Sequence, residues 1–283
     1  MSKAAFKMLS ISERLSIGVF CGLILAMLPT ISAVGEQPAN PRERVTIPLN
    51  PLPFDLGGYL RRPDNSGPFP AVIILPACGV FMNSVDQGWG ETLASWGYVA
   101  LTLDIFTSRG IEGVKTCLHP AHPDATDDVR RGWDWLAARK YVDRNRIFLI
   151  GFGRGGSVVL SAVERTAEFK TKHSFRGAAA FNPACKSEKG VMTVSTLVVV
   201  GALDAMEVDA CRKMAQGENE IGLSRQKSDG VSIQFIALPN AYSGFDLPTF
   251  KKPVDVRGLH LEFSQSATEQ SKTLLREFLQ SLQ

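Results

Sequence analysis

From Arg44 onward, short apolar runs alternate with longer stretches whose apolar residues recur every three or four positions. The first pattern predicts buried strands, and the second predicts helices lying on a sheet. Arg44–Leu49 and Leu56–Arg61 read as an opening pair of strands. Ala71–Leu75 (AVIIL) and Tyr98–Leu103 read as buried strands. Between them, Trp89, Leu93 and Trp96 share one face of a predicted helix that Gly97 ends. Asp124 is placed to cap a helix carrying Val129, Trp133, Leu136 and Ala137 on one side. Arg146–Ile150, Gly177–Phe181, Thr196–Val200 and Val231–Leu238 complete the predicted strands. Further helices are expected after the turn Gly151–Gly156, from Met206 to Met214, and at the C-terminus. There Ser266 and Glu269 form a capping-box pattern ahead of a stripe of Leu274, Leu275, Phe278, Leu279 and Leu282. The alternation predicts an α/β fold, a mostly parallel central sheet with helices on both faces. No linker interrupts residues 44–283, which read as one domain.

The start of the chain has a different pattern. Lys3, Lys7 and Arg14 precede an apolar run from Ile17 to Leu28, and small residues surround Ser32, Ala33 and Gly35. This is the order of a secretory signal. The run is shorter than the roughly 18–20 residues a membrane span needs. Residues 1–33 are therefore expected to be removed, with cleavage after Ala33 or Gly35. The remainder is expected to be periplasmic or extracellular and free of the membrane; an uncleaved N-terminal anchor is the alternative. Net charge is +3, with 45% hydrophobic and 21% charged residues. No basic cluster is interleaved with aromatics, so no nucleic-acid partner is expected.

Export changes how the cysteines read. Removal of Cys21 leaves Cys78, Cys117, Cys185 and Cys211. An even number in an oxidising compartment favours disulfides. Three pairings are possible. Cys78 and Cys117 fall in loops after strands at one sheet end, and Cys185 and Cys211 also follow strand ends, so 78–117 and 185–211 are preferred. Four buried thiols are the alternative.

The chemistry concentrates in Ile147-Phe-Leu-Ile-Gly151-Phe-Gly153-Arg-Gly155-Gly156, a predicted strand running through a glycine-rich turn into a helix. This is the setting of a nucleophile elbow, G-x-S-x-G, in which flanking glycines permit close backbone approach and the central residue points its side chain into a cleft. Gly151 and Gly155 hold the flanking places. Gly153 holds the central one and has no side chain.

The stretches FPAVIILPACG, ASWGYVALTLDIFTSRG, DDVRRGWDWLAARKYVDRNRIFLIGFGRGGS, AAAFNPAC, LVVVGALDA and ALPNAYSGFD resemble the dienelactone hydrolase family, in order and spacing, over nearly all of the chain after the signal. The resemblance implies an α/β-hydrolase fold and a nucleophile–Asp–His triad acting on esters or lactones. It carries the nucleophile onto Gly153, the acid onto Asp204, and the base onto Ser243. It also carries the loop that usually reads His-Gly-x-Gly-Gly onto Pro76-Ala77-Cys78-Gly79-Val80. Acyl transfer needs an attacking atom and a base for its proton. Gly153 supplies no atom, and a hydroxyl at Ser243 has no suitable pKa near neutrality. Loss of a triad nucleophile costs about 10⁶ in kcat. The sequence therefore predicts a catalytically deficient member of the family in a ligand-binding or scaffold role. Cys78, Gly79, Arg154 and Gly155 are expected to face a small carboxylate, ester or lactone. The alternative is an active ester or lactone hydrolase with displaced catalytic groups.

Candidates for displaced groups are few. Ser157 fits helix capping or packing better than catalysis, and Cys78 fits a disulfide better than a thiolate. His119, His122 and Asp124 (HPAHPD) have metal-like spacing in a proline-stiffened loop, but a solvated loop is the better reading, and no metal or cofactor is expected. His260 is expected near the approach to the final helix and His173 on the surface, neither with a sequence-local partner.

Overall fold

The computed structural model describes residues 40–48, 54–64, 66–113, 115–118, 125–165, 174–186, 188, 190–217, 231–256 and 258–283. The predicted signal segment, the HPAHPD segment with its proposed cap Asp124, and His173 lie outside the described residues. Residues 37–283 form a single compact unit.

Strands β1 (Glu43–Pro48) and β2 (Asp55–Arg61) pair antiparallel, and β2 then pairs antiparallel with β4 (Val99–Leu103). From there the sheet is parallel. Strands β3 (Phe69–Leu75), β4 (Val99–Leu103), β5 (Val142–Phe152), β6 (Ala178–Phe181), β7 (Thr196–Gly201) and β8 (Ile233–Leu238) stand in the order β1-β2-β4-β3-β5-β6-β7-β8. Ala71–Leu75 is completely buried, as a strand covered on both faces must be. β5 is longer than predicted. Its polar first half, including Asp143 and Arg146, pairs little, and Arg146 Nε donates to Asp143 at 2.7 Å.

The faces carry separate cores. One is covered by α4 (Ala125–Ala137), α5 (Arg154–Val163) and α6 (Ala205–Gln216), which bury Val129, Trp133, Leu136, Val159 and Met214. The other holds Trp89, Leu93, Leu275, Phe278 and Leu279, the last three from α7 (Gln265–Ser281). Between β3 and β4 the structure corrects the single predicted helix. α1 (Met82–Val85) and α2 (Glu91–Ser95) are joined by a π-turn at Asp86–Gly90, and Trp96 only caps α2. Asp86 is fully buried in an ion pair with Arg61 at 2.9 Å. A Cβ on Gly90 would lie 2.9 Å from its carboxylate, so the widened turn needs glycine there. α3 (Lys115–Leu118) is a short turn in the loop after β4.

The capping of α7 is also corrected. Ser264, not Ser266, accepts the cap hydrogen bond, from Ala267 N–H. The N–H of Ser264 is held by Phe245 O at 3.0 Å, and this tertiary bond sets where the helix begins. A hairpin of β9 (Val254–Val256) and β10 (Leu259–Leu261), absent from the predicted elements, follows β8 and its loop.

Candidate functional site

The carboxyl ends of β3, β5, β6, β7 and β8 converge on one edge of the sheet, where open α/β sheets hold ligands. A cavity of about 360 Å³ lies there, and Cys78, Gly153, Arg154, Asn182 and Ser243 all contribute to its wall. Its floor is aromatic. Phe152 and Phe181 stack at 5.0 Å between ring centroids, and Trp89 packs on each at 5.1 Å. Val256, Leu259 and Leu261 of the hairpin form an apolar flank.

Gly153 sits between β5 and α5 with φ +51° and ψ −118°. This is a backbone region that side chains rarely adopt, costing of order 1–3 kcal/mol when they do. A Cβ there would meet the Cβ of Ala77 at 3.0 Å. Gly151 and Gly155 are required for a different reason. A Cβ on Gly151 would lie 2.3 Å from Gly155 O, and one on Gly155 would lie 2.2 Å from Leu75 O. The turn therefore packs backbone against backbone, and Gly155 is buried in that contact. Gly155 does not face the cavity, contrary to expectation.

Gly79 is the second correction. Its N–H donates to the Thr116 hydroxyl at 3.0 Å, so it is unavailable to a ligand. The cause is the Cys78–Cys117 disulfide, which ties the loop after β3 to α3 with Cα atoms 5.0 Å apart. Cys185 and Cys211 form the other disulfide, Cα to Cα 4.9 Å. Both preferred pairings are present, and the four-thiol alternative does not describe this structure. A disulfide-bonded Cys78 has no thiolate to offer.

Arg154 opens α5 and lies half-buried at the cavity wall. Its guanidinium donates to Thr116 O at 2.5 Å and lies 5.8 Å from the Phe106 ring centroid. Burial lowers its pKa from the ordinary value. Among the described residues no carboxylate lies within ion-pair distance of it.

Asp204 follows β7 at the start of α6 and accepts a hydrogen bond of 2.6 Å from the buried Ser243 hydroxyl. Ser243 is held from the other side by Glu262 N–H, which donates to its carbonyl at 3.2 Å. Nearby Glu207 has its pKa raised, first by burial and further by the Asp204 charge. Ser157 is committed to structure: its hydroxyl accepts Ala184 N–H at 2.9 Å. His260 is corrected too. It has close partners in sequence, Asp255 at 2.9 Å and Glu262 at 3.2 Å, and these carboxylates raise its pKa. Leu259 and Leu261 face the cavity and His260, between them, does not. Among the described residues no histidine lines the cavity.

Two wall residues were not anticipated. Asn182 takes φ +46°, and its side-chain carbonyl accepts Gly201 N–H at 2.9 Å, linking the ends of β6 and β7. The Asn-Pro pair after an apolar run was the available signal. Asp246 is buried and accepts the Trp89 indole N–H at 2.9 Å. That partner lies 157 residues away, and no local pattern announces it.

A glycine-flanked elbow after the fifth strand, an acid-bearing loop after the seventh and a third loop after the eighth together define the α/β-hydrolase fold. Within that class, residues 56–279 match the dienelactone hydrolase family, and the chain belongs to it. No curated protein sequence matches the chain. Solved structures do. The dienelactone hydrolase of Anabaena variabilis is 14% identical, with TM-score 0.63, covering 86% of this chain and 98% of its own. A dienelactone hydrolase-like promiscuous phosphotriesterase from metagenomic libraries is 21% identical, TM-score 0.64, covering 86% and 99%. A hyperthermophilic esterase of the archaeon Pyrobaculum calidifontis is 14% identical, TM-score 0.62, covering 87% of each. At these identities the likeness establishes the fold alone.

Proposed function

We propose that this protein is an exported pseudoenzyme of the dienelactone hydrolase family that holds a small carboxylate, ester or lactone at the elbow cavity without hydrolysing it. One observation carries the reading: the elbow is intact in backbone but ends in Gly153, while the carboxylate of Asp204 is bonded to a hydroxyl at Ser243. There is no atom to attack and no imidazole for Asp204 to orient. The cavity wall also supports a ligand role. Arg154, which has no carboxylate within ion-pair distance among the described residues, stands beside the first N–H groups of α5, a favourable place for a carboxylate, and the aromatic floor suits an apolar body. Export is supported by the basic-apolar-small order of residues 1–33 and by two disulfides, which persist in periplasmic or extracellular compartments. No described helix is long and apolar enough to cross a membrane.

Purified protein offered a panel of aryl esters and lactones should show no turnover that Asp204→Ala removes. Benzoate should bind, and Arg154→Gln should weaken it about tenfold or more, the scale of one charge-assisted contact. Asp204-dependent turnover at an ordinary enzyme rate would overturn the proposal.

A further inference from the structure

A second cavity, of about 450 Å³, lies behind the loop that carries Ser243. Asp246 lines both cavities and so forms part of the partition between them. Trp89, Phe263 and Pro248 give the second cavity apolar surfaces, and Glu269 and Lys272 of α7 bring charges to it. No part of the elbow chemistry uses this space.

The chemistry of Asp246 indicates what it takes. The side chain is buried, yet among the described residues no lysine or arginine comes within ion-pair distance of it. Among the described residues its side chain accepts one hydrogen bond at 2.9 Å, from the Trp89 indole N–H. An ionised carboxylate can accept about four. A buried charge so thinly partnered is costly, and an incoming cation lowers that cost. Burial accordingly raises the carboxyl pKa to about 6, the indole bond opposing it more strongly than the Lys272 charge does.

We infer that the second cavity is a binding site for a small organic ammonium ion with an apolar body, its charge on Asp246 and its body against Trp89, Phe263 and Pro248. A primary ammonium supplies three donors to a carboxylate with acceptor capacity left. Phe263, whose ring already faces the Lys251 ammonium at 6.0 Å, supplies apolar contact for the body rather than a seat for the charge. The exposed Glu269 adds attraction at the rim, while Lys272 on the cavity wall and Lys251, whose ammonium lies 6.0 Å from the Phe263 ring centroid, oppose it. A carboxylate ligand held by Lys272 would have to approach Asp246, so anions are disfavoured on charge.

The test is calorimetric titration of the purified protein, near about pH 8 where Asp246 is ionised, with 2-phenylethylammonium and with its neutral counterpart 2-phenylethanol. The amine should bind at least about tenfold more tightly than the alcohol, the value of one charge-assisted contact. Asp246→Asn keeps an acceptor for the Trp89 indole and should abolish that preference. Lys272→Ala, at a half-buried surface position, should tighten the amine. Equal binding of amine and alcohol would overturn the inference. So would an undiminished preference in Asp246→Asn, or amine binding that Lys272→Ala leaves unchanged or weakens.

Discussion

Replacing Gly153 by alanine probes the elbow without adding chemistry. Two costs are legible in the structure. The backbone at φ +51°, ψ −118° is strained for any residue with a Cβ, by about 1–3 kcal/mol. The new Cβ would also sit 3.0 Å from the Cβ of Ala77, inside the 3.5–4.0 Å optimum for carbon atoms. Ala77 lies on the loop pinned by the Cys78–Cys117 disulfide, so it yields only by shifting tied backbone. Overpacking of this kind costs about 1–3 kcal/mol. The sum is roughly 2–4 kcal/mol, because partial relaxation relieves both terms together. In urea, at a slope of about 2–3 kcal/mol per M, the unfolding midpoint should fall by about 1 M. Adding Ala77→Gly should recover the contact part and leave the backbone part, so the double mutant should lie between Gly153→Ala and Ala77→Gly alone. A neutral or stabilising Gly153→Ala would show that the elbow does not hold the strained geometry, and the argument for glycine there would fail.

Other consequences are measurable in the same way. Ser243→Ala removes the hydroxyl bonded to Asp204 and should lower stability by about 1.5–3 kcal/mol, the range for hydrogen bonds to charged groups; an unchanged thermal midpoint would refute that bond. Deleting Cys78 and Cys117 together opens a crosslink spanning 39 residues and should cost about 4 kcal/mol by loop entropy, and intact non-reduced protein should contain no free thiol at Cys78, Cys117, Cys185 or Cys211. Burial pushes the Asp246 carboxyl from the usual carboxylate range up to about 6, so the folded state holds its proton more tightly. Stability should therefore fall as pH rises from about 4 to 6, by up to about 3 kcal/mol relative to Asp246→Asn, whose profile lacks this component. A parallel pair of pH profiles would contradict that burial.

The frame of the site was legible where local sequence decides structure. The apolar run Ala71–Leu75 can only be a doubly covered strand, and Gly151 and Gly155 mark a turn where backbones touch at distances no Cβ tolerates. What escaped depends on distant partners. Gly79 looked free until Thr116 supplied an acceptor, and Trp89 looked like part of an apolar stripe until Asp246 appeared across the chain. Ser264 and Ser266 are equally good caps in sequence; Phe245 O chooses between them. The β9–β10 hairpin was readable, since Val254-Asp-Val256 and Leu259-His-Leu261 each alternate apolar and polar residues, with Gly258 ahead of the second run. Its short strands were outweighed by the longer runs on either side.

The central claim is that the backbone of the elbow persists while its nucleophile and its base are missing. Gly153→Ser combined with Ser243→His restores a hydroxyl at the elbow and an imidazole beside Asp204. Hydrolysis of a small activated ester such as 4-nitrophenyl acetate should be undetectable above the uncatalysed rate in the wild-type protein. It should rise clearly in the double mutant and barely in either single mutant, because nucleophile and base act as a unit. A wild-type protein that hydrolyses the ester at an ordinary enzyme rate, with Asp204→Ala abolishing it, would contradict the account.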